Sequence, residues 1–437
     1  MAIEPLSMTR PSPSPPVHPT LFCLPYAGGA AGAYHGLRGV SDTVEIVPLQ
    51  LPGRENRITE PPEFSVPEIV DEIAPRTGRP YALYGHSMGA RIAFEVAREL
   101  RRRGLPPPLR LYAAAAHPPD RRVPLAAAAD LPDDAFVDQL IRRAGAPAEL
   151  RDLPELRELL LPVLRADFAW IKSYRYAPGP PLEIPVVAFA GLDDGEVPPA
   201  DMLGWARHTR AGFGLRTLRG GHFFLKDAPA DLARLIAEDL SGRPDPDAGS
   251  PSMEDDEIHL RVSPGGDRSV AAPGDADGPA DDSRRPPGDG AERLSRSADR
   301  ADGLVAEAVV RDGAVGVAVA RLETRAPDDG AGEPCGNPPP EPGSGRGEWE
   351  QIADAAEEDR PWLALRAGTA RRALLQAGAR DLAGTGFPDL AAPGPWHVGD
   401  GWWITHLSLP TPLGEAIAAI ATPRDRMRLR AHLWTGR

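Results

Sequence analysis

Ser87 lies in Tyr84-Gly85-His86-Ser87-Met88-Gly89, with a glycine two residues before it and another two after it. A serine hydroxyl is a weak nucleophile at neutral pH and needs both exposure and a base. A strand turning sharply into a helix gives the exposure, and so tight a turn leaves no room for a Cβ at the two flanking positions. Gly85 and Gly89 fill them. Such a five-residue match arises by chance too often to carry a function alone, so its surroundings decide. Tyr81-Ala82-Leu83-Tyr84 is an apolar run of strand length, and Ile92, Ala93, Val96, Ala97 and Leu100 recur at helical spacing. Arg101, Arg102 and Arg103 suit the negative end of that helix, and Gly104 stops it.

A base and an acid must follow. In α/β-hydrolase sheets the chain order is serine, acid, histidine. Ile184 to Ala190 reads as a buried strand and runs into Gly191-Leu192-Asp193-Asp194-Gly195. A carboxylate just past that strand lies on the sheet edge where the serine turn emerges. Asp194 is the preferred acid, with Asp193 as the alternative or as a turn residue. Leu215 to Leu218 reads as a short strand, and His222, on a glycine-flanked loop before a helix at Ala230 to Leu240, is the expected base. His86 is expected to pack beside the serine, and His117 and His208 to face solvent. Charge developing on a carbonyl oxygen needs preorganised N–H donors. Met88 supplies one at the helix N-terminus. The second is expected from Pro25-Tyr26-Ala27-Gly28-Gly29-Ala30 after the strand Thr20 to Leu24, from Ala27 in preference to Tyr26.

From about Leu21 to Leu240 the chain resembles the type II thioesterases that accompany nonribosomal peptide and polyketide synthases. The resemblance is carried by Pro25-Tyr26-Ala27-Gly28-Gly29, Leu51-Pro52-Gly53-Arg54-Glu55, Gly85-His86-Ser87-Met88-Gly89-Ala90, Leu131-Pro132-Asp133-Asp134 and Gly220-Gly221-His222-Phe223, in that order. It places the family's triad on Ser87, Asp194 and His222. It implies hydrolysis of acyl groups stalled on the phosphopantetheine thiol of an acyl- or peptidyl-carrier protein, through an acyl-enzyme and without metal or organic cofactor. The cargo typical of the family is short: acetyl, propionyl or a wrongly loaded amino acid. Amphipathic stretches at Asp133 to Ile141 and Leu153 to Asp167, followed by Phe168, Trp170, Tyr174 and Tyr176, fall where the family carries its lid, here at about 126–176. Phe168, Trp170 and Tyr174 are candidate substrate contacts; equally, these aromatics could pack the lid onto the core. Arg54 and Glu55 are open between pocket lining and a surface pair. The expected fold is α/β: a mainly parallel sheet with helices on both faces and a helical lid.

The chain has 437 residues, enough for two or more domains, and a net charge of −14, which disfavours nucleic acid and anionic membranes as partners. An acidic carrier protein would need a local basic patch, for which Arg101 to Arg103 and Arg121-Arg122 are candidates. Two cysteines, Cys23 and Cys335, give no disulfide framework, and with no long apolar run or signal-peptide core a cytoplasmic location is expected. Residues 1–17 read as a disordered N-terminus, 18–243 as the hydrolase domain, 244–293 as an Asp/Gly/Pro-rich linker, and 294–437 as an extension.

Within the extension, Gly303 to Val310 and Ala314 to Val319 around Asp312-Gly313 read as a hairpin, Trp362 to Ala377 as a helix, and Trp402 to Thr405 and Ala416 to Ala421 as strands, the last possibly helical. This order weakly resembles a degenerate Sfp-type phosphopantetheinyl transferase. Glu257-Ile258-His259-Leu260 matches that family's opening, and Leu294-Ser295-Arg296-Ser297 falls where its Ser-His-Ser lies. Alanines 318 and 320 stand where its two metal carboxylates are expected. Without them the extension is expected to be noncatalytic, whether a partly disordered tail or a contact for carrier protein or synthase. Two other functions remain open: a general serine esterase or lipase-like hydrolase, and a carrier-binding scaffold acting through the extension.

Overall fold

The computed structural model describes residues 18–38, 43–144 and 146–240. Beyond these it describes 257–264, 294–301, 304–311, 315–321, 351, 354–355, 360–377, 379, 396–398, 402–411, 414–423 and 428–433. The stretches read as a disordered N-terminus, most of the linker, the Asp312-Gly313 turn and the Gly/Pro-rich stretch around Cys335 lie outside the described residues.

Six strands form a parallel sheet in the order β2-β1-β3-β4-β5-β6: β1 (Thr20–Leu24), β2 (Glu45–Pro48), β3 (Tyr81–His86), β4 (Leu111–Ala114), β5 (Val186–Gly191) and β6 (Phe213–Leu218). β1, β3, β4 and β5 are buried along their whole length, as near-continuous apolar runs in parallel sheets are. Alternation divides each strand between two cores. In β1, Leu21 and Cys23 join Tyr34, Tyr84 and Ile236 on one face; Phe22 and Leu24 join Ile69, Ile92 and Val96 on the other. The helices follow from this division. α1 (Val66–Ile73), started by a Ser65–Glu68 capping box, and α2 (Met88–Arg102) cover the second face. A 3₁₀ segment at Ala31–Leu37 and α8 (Pro229–Leu240) cover the first.

Between β4 and β5 lies the expected helical insertion: a 3₁₀ turn at Pro124–Asp130, then α3 (Asp133–Ala144), α4 (Glu149–Asp152) and α5 (Pro154–Ser173). Short helices α6 (Pro199–Met202) and α7 (Phe224–Asp227) follow β5 and β6.

The described part of the extension continues the same sheet. β14 (Arg428–Leu433) pairs antiparallel with β6 and parallel with β7 (Glu257–Pro264); β9 (Leu304–Arg311) and β8 (Leu294–Ala301) complete the order β6-β14-β7-β9-β8. β10 (Gly316–Arg321), β13 (Gly414–Thr422), β12 (Trp402–Thr411) and β11 (Trp396–Val398) form a second, antiparallel sheet. Helix α9 (Arg360–Ala377) lays Leu363, Ala367, Ala370, Ala373 and Leu374 on Ala318, Ile404 and Ala419 of that sheet.

Two expectations change here. β7 lies inside the stretch read as linker, its apolar Ile258, Leu260 and Val262 alternating between Asp- and Gly-rich flanks. β9 and β10 are not a hairpin: β9 pairs with β8, and the chain crosses to the second sheet before β10. The polar strand β8 takes the partner's place, and its Ser297 and Asp299 side chains accept the Val317 and Val319 N–H groups of β10 at 3.0 and 2.7 Å. Residues 416–421 are strand, as first read, and not the helical alternative. Positions 318 and 320 are buried alanines on β10. Among the described residues, no helix is long and apolar enough to cross a membrane.

Candidate active site

Ser87 sits between β3 and α2 at φ 54° and ψ −117°, a backbone conformation costly for a residue with a Cβ. The surroundings enforce it. A Cβ at Gly85 would lie 2.1 Å from the Gly89 carbonyl oxygen, and one at Gly89 would lie 2.2 Å from that of Leu24. Ser87 N–H donates to the Ala114 carbonyl at 2.7 Å, tying the turn to β4.

His222, on the loop after β6, accepts the Ser87 hydroxyl through Nε2 at 3.1 Å and donates from Nδ1 to Asp194 Oδ2 at 2.8 Å. Asp194 Oδ1 accepts the N–H groups of Glu196 and Val197, both at 2.9 Å. Burial pushes the Asp194 carboxyl up, but its bond to His222 and those backbone donors outweigh burial and hold it below the ordinary carboxylate value. Asp193 is exposed, and its N–H bonds the Gly220 carbonyl. Of the two acids considered, the structure brings Asp194 to the histidine.

His86 packs beside the serine, as expected, and braces the base. Its Nε2–H donates to the His222 carbonyl at 2.7 Å, and its Nδ1 accepts the Tyr84 hydroxyl at 3.3 Å. Burial, then the neighbouring His222, depress its pKa to about 3, so it is neutral at physiological pH.

A cavity of about 180 Å³ opens on Ser87 and His222. Ala27 and Met88 line it beside the serine; Met88, the first residue of α2, has an N–H with no intrahelical acceptor. The far wall comes from the lid, where Leu156, Leu160, Leu164, Phe168 and Ile171 project from one face of α5. Trp170 and Tyr174 lie off that face. Trp170 packs on Phe64 at 5.4 Å between ring centroids, and the Tyr174 hydroxyl donates to Glu95 Oε1 at 2.7 Å. Phe168 therefore borders the cavity, whereas the other two candidates fasten the lid to the body of the domain.

Other expectations need correction. His117 and His208 are buried rather than solvated, His208 packing against Phe94, Tyr176 and Trp205. His208 bonds Asp120 at 2.9 Å, while His117 lines the cavity, its Nδ1 3.3 Å from Asp201 and its buried Nε2 without a partner. Arg54 is neither a surface residue nor a cavity residue but is buried in an ion pair with Asp167; Glu55 is exposed. In the expected basic patch, Arg102 and Arg103 pair with Glu99, and Arg101 donates to the carbonyls of Pro180 and Pro181. Sequence reasoning missed the α5 leucines, although their three- and four-residue spacing was the available signal. It also missed Asp167, for which no local signal exists. Among the described residues no three His, Cys, Asp or Glu side chains cluster as metal ligands would.

This constellation can attack an acyl carbon and receive the displaced charge. The profile of the thioesterase domain family matches residues 19–240. The gramicidin S biosynthesis protein GrsT of Aneurinibacillus migulanus is 37% identical over 227 residues, covering 50% of this chain and 88% of that protein. Thioesterase PikA5 of Streptomyces venezuelae is 35% identical over 254 residues, 55% of this chain and 88% of its own. Among solved structures, the RedJ thioesterase from the prodiginine biosynthetic pathway in Streptomyces coelicolor is 34% identical, covers 54% of this chain and 98% of itself, and superposes with a TM-score of 0.47.

Proposed function

The chain belongs to the thioesterase family, and on that premise we propose that it is an editing, type II thioesterase that clears acyl groups from the phosphopantetheine arm of carrier proteins in nonribosomal peptide or polyketide synthesis. The observation that carries the proposal is the unbroken hydrogen-bonded series Ser87–His222–Asp194 at the head of an acyl-sized cavity.

Ser87 Oγ attacks the thioester carbon while His222 Nε2 takes its proton. Negative charge on the carbonyl oxygen is received by the N–H groups of Met88 and Ala27. The tetrahedral adduct collapses, the carbon–sulfur bond breaks, and the proton on His222 passes to the departing pantetheine thiolate. Water then enters, His222 removes its proton, and the free acid leaves as the proton returns to Ser87 Oγ. Asp194 keeps Nδ1 protonated and the ring oriented throughout, and stabilises the imidazolium. The depressed Asp194 pKa supports this role, because the carboxylate stays ionised wherever His222 can act as a base. The cavity's 180 Å³ exceeds what acetyl needs, since a roughly 150 Å³ apolar cavity already holds benzene. Acyl groups of about six carbons therefore fit, alongside shorter ones.

The test is intact-protein mass spectrometry of acetyl- and hexanoyl-loaded carrier protein incubated with the enzyme or with Ser87→Ala. The expected result is loss of the acyl mass with the wild type alone, faster than hydrolysis of a matched oxygen ester. Untouched carrier together with rapid ester hydrolysis would assign a general esterase instead.

A further inference from the structure

Tyr26, Ala27, Gly28 and Gly29 form a tight turn in which Gly29 N–H donates to the Tyr26 carbonyl at 2.8 Å. Gly28 has φ +74°, as the third position of a type II turn requires. The Tyr26 carbonyl and the Ala27 N–H belong to one trans peptide unit and point in opposite directions. Tying the carbonyl inside the turn therefore aims the Ala27 N–H out of it.

The rest of the turn is held from elsewhere. Asp167, on lid helix α5, accepts the Gly28 N–H through Oδ2 at 2.7 Å. Arg54, from the loop after β2, donates to Asp167 Oδ2 and Oδ1 at 3.0 and 2.9 Å and to the Gly29 carbonyl at 2.9 Å. A fourth bond, from Arg54 Nε to the Pro52 carbonyl at 3.1 Å, anchors the guanidinium. The two side chains are 4% and 0% exposed. Neither borders the cavity, so neither can touch substrate. A buried ion pair commonly contributes little net stability over apolar residues of similar volume. Here its donors and acceptor are directed at the Ala27–Gly28 and Gly29–Ala30 peptide groups, which flank the Gly28–Gly29 peptide of the turn.

We propose that Arg54 and Asp167 are positioning residues that hold the turn whose closing bond aims the Ala27 N–H, and so make the oxyanion hole depend on the docking of the lid. The proposal rests on the assignment of Ser87 as nucleophile and Ala27 as oxyanion donor. Without Asp167 the Ala27–Gly28 peptide loses its acceptor and can flip; without Arg54 the Gly29 carbonyl is released as well. Cα packing adds to the link, since Leu164 of α5 lies close enough to Gly28 that a Cβ there would be 2.6 Å from Leu164 Cδ2.

The test compares the full-length protein with R54L/D167L and with D167N, using an acyl-pantetheine thioester. It reads kcat, KM, the melting temperature and the affinity for an alkyl boronic acid, which becomes a tetrahedral anion on the serine. Complete loss of one oxyanion donor costs about 10²–10³ in kcat, so misdirecting one is expected to cost the double variant about 10–100-fold, with KM within about threefold. Boronate affinity should fall in parallel with kcat while the melting temperature stays close to that of the parent. D167N, which can still accept the Gly28 N–H but pairs more weakly with Arg54, should fall between. A folded double variant whose kcat and boronate affinity match the parent's overturns the proposal. If the double variant does not fold, unchanged kcat and boronate affinity in D167N overturn it. Turnover by Ser87→Ala in the same assay would instead remove the nucleophile assignment on which the proposal stands.

Discussion

Asp193 and Asp194 are adjacent in the chain, and only the second reaches His222. Replacing Asp194 by Asn should therefore lower kcat by about 10⁴, by releasing the wrong tautomer, whereas Asp193→Asn should change it only a few-fold. Steady-state hydrolysis of an acyl-pantetheine substrate distinguishes the two. His86 gives a pH prediction. Its pKa in the fold is about 3 against an ordinary 6.5, so between those values the unfolded chain binds the extra proton and stability falls as pH falls. This one group contributes a slope of about 1.4 kcal/mol per pH unit at most, which His86→Gln should remove; denaturant melts from pH 6.5 to 4 measure it. Asp194 is an acid with a depressed pKa, so its ionised form adds stability above the ordinary 3.8 and that stability is lost only as pH falls below it. The triad could be read in the chain because each member is flagged locally, by glycines or by a strand end. Arg54 and Asp167 could not, because they lie 113 residues apart and nothing in either neighbourhood names the other. His117 escaped for a similar reason: what buries it arrives from distant segments.

At the level of elements, α5 was legible as a helix and its working face was legible in principle. Leu156, Leu160, Leu164, Phe168 and Ile171 recur every three or four residues and form the cavity wall. The larger aromatics do other work: Trp170 packs on Phe64, and Tyr174, just past the helix end, bonds Glu95. Filling the wall should shorten the preferred chain: Leu160→Trp is expected to lower kcat/KM for a hexanoyl thioester about tenfold or more while leaving acetyl within about threefold. A competition assay with both thioesters reads that ratio directly. The β9–β10 pair shows the opposite difficulty. Asp312-Gly313 between two apolar runs is a strong hairpin signal, but pairing partners are chosen by what else is near, and the polar side chains of β8 offered a better-matched edge.

Across the whole molecule, the site is assembled from residues before 240, and the relatives it resembles are matched over 88% of their length by about half of this chain. A chain ending at Leu240 is therefore expected to keep kcat within a few-fold of the parent. It should also associate with itself as concentration rises, because β14 no longer covers the edge of β6. Size-exclusion chromatography over a concentration series checks this, and a strictly monomeric truncated chain would count against the pairing. Neither the linker composition nor the short alternating run at 428–433 announced that the extension joins the hydrolase sheet, since an edge pairing leaves almost no trace in one strand alone.

That pairing also has a consequence in time. Among the described strands of this sheet β14 comes last in the chain but sits seventh across it, between β6 and β7. Roughly 210 residues separate Leu218 from Arg428, so at about 5–20 residues per second a ribosome needs roughly 10–40 s to deliver it. During that interval the nascent hydrolase can be complete with its flank at β6 bare. Any factor that shields the growing chain would be needed most in those seconds, and emergence of β14, rather than closure of the active site, would mark the end of that exposure.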